Sequence, residues 1–549
     1  MFAYGDDEED DILSKMAAEQ YGVSDDDQVL ENNTNDKTTN DDKKEFVKHY
    51  VGDMEIWNSQ TSVPFDWLNN TSILHKIIPS NIVAHELLRK KTLQLIRNNF
   101  NKTIEETTFE NNTDKLNQAF EKWYFTAKSN ETKSIDPLLT SEIDEVTEKE
   151  LAKSLEETGM APATATTISH QVSKFTLQTN SQYIRQMNHF GFNNNNHNNM
   201  LSSSSNNNSI NNNSNSSNTK HVSLKRGVNM GNDVIDESMI LLKYRKSKQR
   251  ITVQHYEKLK SLIQIHVKAF NVKFKNDIRQ EKIELSDHDI NDRIFCLLLR
   301  YNAINGTYTE GAGFQAAIPG ACFDVLLKYL DCSMECFASP LNCRYSTFCS
   351  AFPDTDLMFG SIGNFFSDDF NPIEGSFEAN PPFVDTLIQK MALKMNSLLS
   401  ISKKKKKTLS FVVIIPEWDH TTGWNTLKNS KYLRNHIVIQ QRDHGYTEGA
   451  QHLLNKSRFR IATFNTSVFI LQNKRGKKKW PITDEFIEEL KNSFISKHND
   501  SNKKKRNRND DNGKNINNSS SSSSSHGSSN NGGDGEDKKS LERKKSKFS

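Results

Sequence analysis

The residues with the clearest chemistry are Asn380, Pro381, Pro382 and Phe383, a tetrad between a stretch that reads as a strand (Ser376 to Ala379) and the start of an amphipathic helix. An amine conjugated to an aromatic ring is a poor nucleophile, because its lone pair is delocalised. An acceptor oxygen on Asn380 and the Pro381 carbonyl can each take one amine hydrogen, which localises the lone pair and aims it at an electrophilic methyl group. Two prolines stiffen the backbone and leave their carbonyls without local amide competition. Phe383 offers a flat face to the ring. Such a site works by positioning and electrostatics, without strong base catalysis and without a metal. The tetrad alone leaves adenine amines, cytosine amines and glutamine side chains open as acceptors.

The surrounding pattern must present this tetrad at the carboxyl end of a strand. Gly375 to Ala379 reads as a strand, and Val384, Leu387, Ile388, Met391, Met395, Leu398 and Leu399 fall on one helical face. Phe411 to Ile415 is an uninterrupted apolar run, as in a parallel strand buried on both faces. Met334 to Ala338, His436 to Ile439 and Thr466 to Leu471 read as further strands. This alternation predicts an α/β fold with a doubly wound sheet, whose ligands bind beyond the carboxyl ends of its strands. Before it, Met239 to Tyr244 and Gln249 to Val253 suggest strands around a basic turn, followed by helices near Tyr256 to Phe270 and Asp289 to Ala303. Further upstream the period is helical: Ile82, Leu87, Leu88, Leu93 and Ile96, then Leu116, Phe120, Trp123 and Phe125, then Leu151 and Leu155.

The 549 residues are 34% hydrophobic and 26% charged, with 71 basic and 69 acidic side chains arranged in blocks. Segments too polar to bury a core divide the chain. The expected organisation is an acidic disordered tail at 1–45, a helical domain at 46–192, an Asn/Ser-rich disordered loop at 193–220, an α/β domain at 221–498, and a basic, Ser-rich disordered tail at 499–549. The lysine run 403–407 is expected to lie outside any packed core. No run of residues is apolar and long enough to span a bilayer, so no membrane partner is expected. The N-terminus lacks the basic and apolar regions of a signal peptide. Six cysteines between Cys296 and Cys349 show no zinc-ligand pair, and they read as buried free thiols. The exposed cluster Lys503 to Arg508 has the composition of a nuclear import signal.

Four strings stand in order: ECFASPLN (Glu335 to Asn342), CSAFPDTD (Cys349 to Asp356), GSFEANPPF (Gly375 to Phe383) and IPEW (Ile415 to Trp418). Together they resemble the cap-specific adenosine N(6)-methyltransferases, also called the phosphorylated-CTD-interacting factor family, over roughly Met239 to Trp480. The resemblance implies a Rossmann-like methyltransferase domain behind a helical domain. It implies S-adenosyl-L-methionine as methyl donor, and as acceptor the exocyclic amine of the 2′-O-methyladenosine next to the 7-methylguanosine cap at the 5′ end of mRNA, in the nucleus. An adenine methyltransferase on other RNA or DNA, or a silent RNA-binding protein on the same fold, are the alternatives. The intact tetrad argues against the silent reading.

Besides the tetrad, the cofactor would meet Ala338, Ser339, Pro340 and Asn342, and also Gly311, Gly313 and Gln315. The substrate would meet Lys122, Lys153, Asp385, Trp418, Asp419, His420, Thr421 and Thr422. Members of the family can carry an N-terminal WW domain that binds the phosphorylated RNA polymerase II tail. Trp57 and Trp67 are ten residues apart in a polar context, against the roughly twenty a WW domain needs. No WW domain is read here, which argues against that association.

Overall fold

The apolar run around Phe411 forms the middle of a sheet packed on both faces. The computed structural model describes residues 82–107, 113–130, 136–189, 221–226, 229–230, 233–234, 237–273, 275, 282–305, 316–449, 451–453 and 459–494. The segments expected to be disordered at 1–45, 193–220 and 499–549 lie outside these, as does the cluster Lys503 to Arg508.

Among the described residues four helices come first: α1 (Ile82–Glu105), α2 (Thr113–Asn130), α3 (Glu145–Glu156) and α4 (Pro162–His189). Then come β1 (Ser223–Arg226), the two-residue strands β2 (Asn229–Met230) and β3 (Asp233–Val234), β4 (Met239–Tyr244) and β5 (Ser247–Thr252). Strands β1, β4 and β5 make a small antiparallel sheet. Helices α5 (Val253–Lys273) and α6 (Asp287–Asn305) follow. One hydrophobic core draws on α1, α2, α5 and α6 together: Phe100, Trp123, Leu259 and Phe295 all belong to it.

The remainder is a layered α/β unit. It contains α7 (Gly320–Leu330), α8 (Pro353–Asp356), β6 (Gly375–Ala379), α9 (Asp385–Lys404), β7 (Leu409–Pro416) and α10 (Thr422–Lys428). It continues with β8 (Leu433–Ile439), β9 (Gly445–Thr447), β10 (Phe459–Ile461), β11 (Thr466–Gln472), α11 (Lys474–Lys479) and α12 (Asp484–Ser493). The main sheet has the order β6-β7-β11-β8. Strands β6 and β7 are parallel, and β11 runs antiparallel between β7 and β8. Along β7 the side chains alternate between two cores. Phe411, Val413 and Ile415 pack with Met391 and Met395 of α9, while Val412 and Ile414 pack with Phe323 of α7 and Phe486 of α12. Burial on both faces is why the run has no polar interruption.

The expected strand Met334 to Ala338 is reduced to single bridges. Glu335 pairs parallel with Glu378 of β6 on one side and with Phe348 on the other, and Phe348 pairs parallel with Ser361. These bridges extend the sheet by three positions. The lysine run 403–407 lies outside the packed core, as expected, and it completes the last turn of α9 and the turn after it. All six cysteines are buried free thiols. Among the described residues no helix is long and apolar enough to cross a membrane.

Candidate active site

From Glu335 the chain steps outward to Phe348 and Ser361, then returns to β6 on the other side of Glu335 and moves on to β7. The strand order therefore reverses between Glu335 and β6. At such a switch point the loops leaving the carboxyl ends diverge and open a crevice. A cleft lies there. Its wall includes Phe337 and Ala338 after the first position, Ser350 and Phe352 after the second, Asn364 and Phe366 after the third, and Asn380 and Pro382 after β6.

The side chain of Asn380 is held from one end. Its Nδ2 donates to the Ala316 carbonyl at 3.1 Å, which fixes the amide orientation, because the flipped amide would set oxygen against oxygen. Its Oδ1 is buried and has no hydrogen-bond partner. A buried orphan acceptor is costly, and a ligand that donates to it relieves that cost. Pro381 is buried. The Pro382 carbonyl accepts from Val384 N–H at 2.8 Å, so the expectation that both proline carbonyls lack a local amide fails for Pro382.

Phe383 does not line the cleft. It stands half-buried beside Trp418, Tyr446 and Phe464, at centroid distances of 6.3, 6.1 and 5.8 Å and angles of 79°, 74° and 87°. Three edge-on neighbours fix the plane of the ring. Asp385 spans to the next loop: its carboxylate accepts from Gly423 N–H at 2.7 Å and Thr422 N–H at 3.3 Å. It thereby caps α10 and anchors the loop Trp418 to Thr422. Within that loop Trp418 is half-buried, Asp419 and His420 are exposed, and Thr421 Oγ1 donates to the Trp418 carbonyl at 2.8 Å.

Ala338 and Asn342 line the cleft, whereas Ser339 and Pro340 are buried behind it. Asn342 Oδ1 accepts from Ser339 N–H at 2.7 Å, which closes the turn. Gly311, Gly313 and Gln315 lie outside the described residues. Lys122 and Lys153 are exposed on α2 and α3 and do not line the cleft, although Glu121 and Phe125 beside Lys122 do.

Sequence reasoning missed two features. One is the phenylalanine-rich wall. The string Gly363-Asn-Phe-Phe366 carries it and was readable as a small-residue turn followed by aromatics. The other is a wider groove that shares Glu121, Phe125, Phe352 and Phe366 with the cleft. Its cations are Arg89, Arg97 and Lys128. They are oriented by Glu86 and Asp136, by Glu121, and by the Asp136 and Leu139 carbonyls.

Buried carboxyls stiffen the base of the site. Glu335 Oε2 accepts from Arg344 N–H at 2.8 Å and Tyr345 N–H at 3.0 Å, and burial pushes its pKa up to about 7. Burial, together with Glu335 alongside, holds Glu378 well above the usual carboxylate range. Asp356 accepts from Tyr301 Oη at 2.6 Å and is pushed by burial to about 7. Arg300 is fully buried, with Nε 2.6 Å from Glu86 Oε1 and Nη2 2.8 Å from Asp354 Oδ2. It ties α1 to α8, directly after Phe352.

Residues 258–449 match the family described as Phosphorylated CTD interacting factor 1 WW domain. The chain is also similar to proteins named mRNA (2′-O-methyladenosine-N(6)-)-methyltransferase from Mus musculus and Homo sapiens. Each is 42% identical over 202 residues, which is 36% of this chain and 28% of the relative. The match thus spans less than a third of those relatives. It corrects one expectation: a match described as a WW domain is present, where the spacing of Trp57 and Trp67 argues for none. The matched stretch contains most of α5, all of α6 to α10, and strands β6 to β9, so no short tryptophan-pair signature was there to find. Residues 258–449, about a third of the chain, are thus similar to the phosphorylated CTD interacting factor family.

Proposed function

We propose that the protein transfers a methyl group to the exocyclic amine of the 2′-O-methyladenosine that follows the 7-methylguanosine cap of mRNA. The observation that carries this reading is Asn380 Oδ1: a buried acceptor, unpartnered and pinned in orientation, on the wall of a cleft at the switch point of the sheet. The names of the two similar proteins supply the substrate class.

The residues present fit S-adenosyl-L-methionine. Loops from three parallel sheet positions converge with the tetrad, and Phe337, Phe352 and Phe366 offer apolar faces to an adenosyl group. Ala338 and Asn342 would border it from the turn behind. When bound, this cofactor supplies a methyl group on a sulfonium. Asn380 Oδ1 and the Pro381 carbonyl each accept a hydrogen bond from the amine, which turns the nitrogen lone pair out of the ring's conjugation. Once the nitrogen carries the methyl group, its surplus proton passes to water, because neither acceptor is basic enough to keep it. Phe383 stacks on the base, held in plane by Trp418, Tyr446 and Phe464. Asp385 and the loop Trp418 to Thr422 close that side. Arg89, Arg97 and Lys128 line the wider groove together with Glu86, Glu121, Asp354 and Asp369. They therefore offer the triphosphate bridge individual donors rather than a cationic wall, and Lys122 and Lys153 lie outside the groove. The first nucleotide is unpaired, so placing its base costs little compared with flipping one out of a duplex.

The test is transfer of labelled methyl to short RNAs that differ only in the cap and the first nucleotide. Transfer restricted to capped RNA beginning with 2′-O-methyladenosine is expected. Equal rates on uncapped RNA would replace the cap reading with a general adenine methyltransferase. We also propose that the protein works in the nucleus, with Lys503 to Arg508 as its import signal. A chain truncated after Lys497 should then keep its activity and shift to the cytoplasm.

A further inference from the structure

At the other end of the main sheet, away from the cleft, two basic runs come together. Strand β7 starts at Leu409, directly after Lys403 to Lys407, and ends at Pro416 on the cleft side. Strand β11 runs the opposite way and ends at Gln472, directly before Lys474, Arg475, Lys477, Lys478 and Lys479 of α11. The runs are joined by hydrogen bonds. Asn473 Nδ2 donates to the Lys407 carbonyl at 3.0 Å and to Ser402 Oγ at 2.9 Å, and Asn473 N–H donates to the Leu409 carbonyl at 3.3 Å. A Cβ on Gly476 would sit 2.7 Å from the Leu409 carbonyl oxygen, so α11 lies tight against the start of β7.

All ten cations of these runs are exposed. Lys407 pairs with Glu374 at 3.0 Å and Lys479 with Asp331 at 3.2 Å. The other eight have no carboxylate within ion-pair distance among the described residues. Concentrating this much like charge is unfavourable without an anionic partner. Favourable placement at a helix C-terminus accounts for Lys403 and Lys404 of α9 and for Lys477, Lys478 and Lys479 of α11, but not for Lys474 and Arg475 at the start of α11. The turn also keeps a cation where backbone geometry favours glycine: Lys406 has φ +57°.

We infer that the two runs form one cationic ridge that docks the phosphate backbone of single-stranded RNA downstream of the reacting 5′ nucleotide. The downstream placement rests on the RNA-end substrate proposed above. Nine of the ten cations are lysines, which are mobile point charges suited to a string of phosphates, and Arg475 is the single arginine. Readers of phosphopeptides rely on clustered arginine forks for bidentate capture. The ridge is separated from the cleft by the eight residues of β7, about 25 Å at roughly 3.3 Å per residue. Only RNA longer than a few nucleotides can reach both.

The test replaces Lys403, Lys404, Lys405, Lys474, Lys477 and Lys478 by Gln in the full chain, with an all-Arg version as control. Binding of a fluorescent, uncapped single-stranded RNA of about 25 nucleotides is followed across a salt series. The Gln variant should bind roughly tenfold or more weakly, with a salt slope shallower by about 0.7 for each phosphate that is no longer neutralised. The Arg variant should bind like the parent. Methylation of a capped pentanucleotide should be unchanged, while the advantage of a long capped RNA in KM should disappear. Unchanged RNA affinity and salt slope in the Gln variant would overturn the inference, as would an equal drop in the Arg variant. So would a Gln variant that loses affinity for a phosphoserine peptide but not for RNA. Absence of methylation on any capped RNA, with ridge-dependent binding of uncapped RNA intact, would strike the proposed activity and leave the ridge as an RNA dock.

Discussion

The amide of Asn380 donates to the Ala316 carbonyl at 3.1 Å and leaves its own oxygen buried without a partner. One end of the side chain is fixed to the frame and the other waits for a donor. Replacing Asn380 by Ala should lower kcat by roughly a hundredfold or more, the usual cost of removing one preorganised polar group. The Ala316 carbonyl also loses its donor, at about 1–3 kcal/mol. Measuring kcat and thermal midpoint together separates the two effects. A small loss of both would remove Asn380 from the reaction.

Asp385 and Gly423 form the second arm of the site. A Cβ on Gly423 would lie 2.9 Å from Asp385 Oδ1 and 2.9 Å from Gln389 N. Gly423→Ala and Asp385→Ala should therefore do the same thing: uncap α10 and loosen the loop Trp418 to Thr422. Each should cost about 0.5–2 kcal/mol of stability and raise KM for RNA more than it lowers kcat. The double variant should cost less than the sum of the single ones, because both break the same hydrogen bond, while the contacts of the added methyl with Gln389 N and with Ile388 Cγ2 at 2.8 Å remain in it. Additive effects would show that the residues act separately.

Phe383→Ala removes the ring that Trp418, Tyr446 and Phe464 hold edge-on. Because Phe383 is only half-buried, the stability cost should fall below the about 3–5 kcal/mol of a fully buried phenylalanine. Turnover should fall further, since base-aromatic stacking contributes on the order of 1–3 kcal/mol. Phe383→Tyr keeps the flat face and should keep most of the rate. Alanine and tyrosine variants with the same kcat would exclude stacking.

The sequence made some of this legible and hid the rest for identifiable reasons. Phe411 to Ile415 and the apolar face from Val384 onward follow the periods that burial imposes, so β7, α9 and the tetrad between them could be placed. The sheet positions at Phe348 and Ser361 are single bridges, too short to leave an alternating pattern. With them went the switch point and the wall of Phe352 and Phe366. The exposure of Lys403 and Lys404 was legible from composition, but their place in the last turn of α9 was not, because composition says nothing about a helix supported from upstream by Leu398 and Leu399. Asp385 caps a helix 38 residues away in sequence, a relationship that no local pattern encodes.

Glu86 and Arg300 test how the helices hold the cleft. Arg300 makes paired hydrogen bonds to Glu86 on one side and to Asp354 on the other. Glu86→Ala leaves a fully buried guanidinium short of one partner and should cost about 3–5 kcal/mol. Arg300→Lys should not substitute, because an ammonium cannot span both carboxylates. Chemical denaturation should show this destabilisation. A change under about 1 kcal/mol would mean that solvent reaches Arg300 and replaces the missing carboxylate.

The last test concerns Glu335, whose pKa is pushed by burial from its ordinary value of 4.5 up to about 7. In the unfolded chain the carboxyl ionises near its ordinary value. Between these limits the folded protein therefore binds more protons than the unfolded one, and stability falls as pH rises. The contribution is fully present below about pH 4.5 and lost by the time pH passes about 7. Glu335→Gln keeps an acceptor for the Arg344 and Tyr345 N–H groups but cannot ionise. Relative to the parent, its thermal midpoint should gain progressively as pH rises from about 5 to about 8. Asp356, also pushed to about 7, is present in both proteins and cancels in the comparison. So do His85, His266 and His452, which burial lowers to about 4 and which act in the opposite direction. The measurement is the difference in midpoint between the two proteins at each pH, without ligand. A difference that stays flat across the range would mean that Glu335 ionises in the folded protein as it does in the unfolded chain, and that the Arg344 and Tyr345 amides together with the Lys258 ammonium offset its burial.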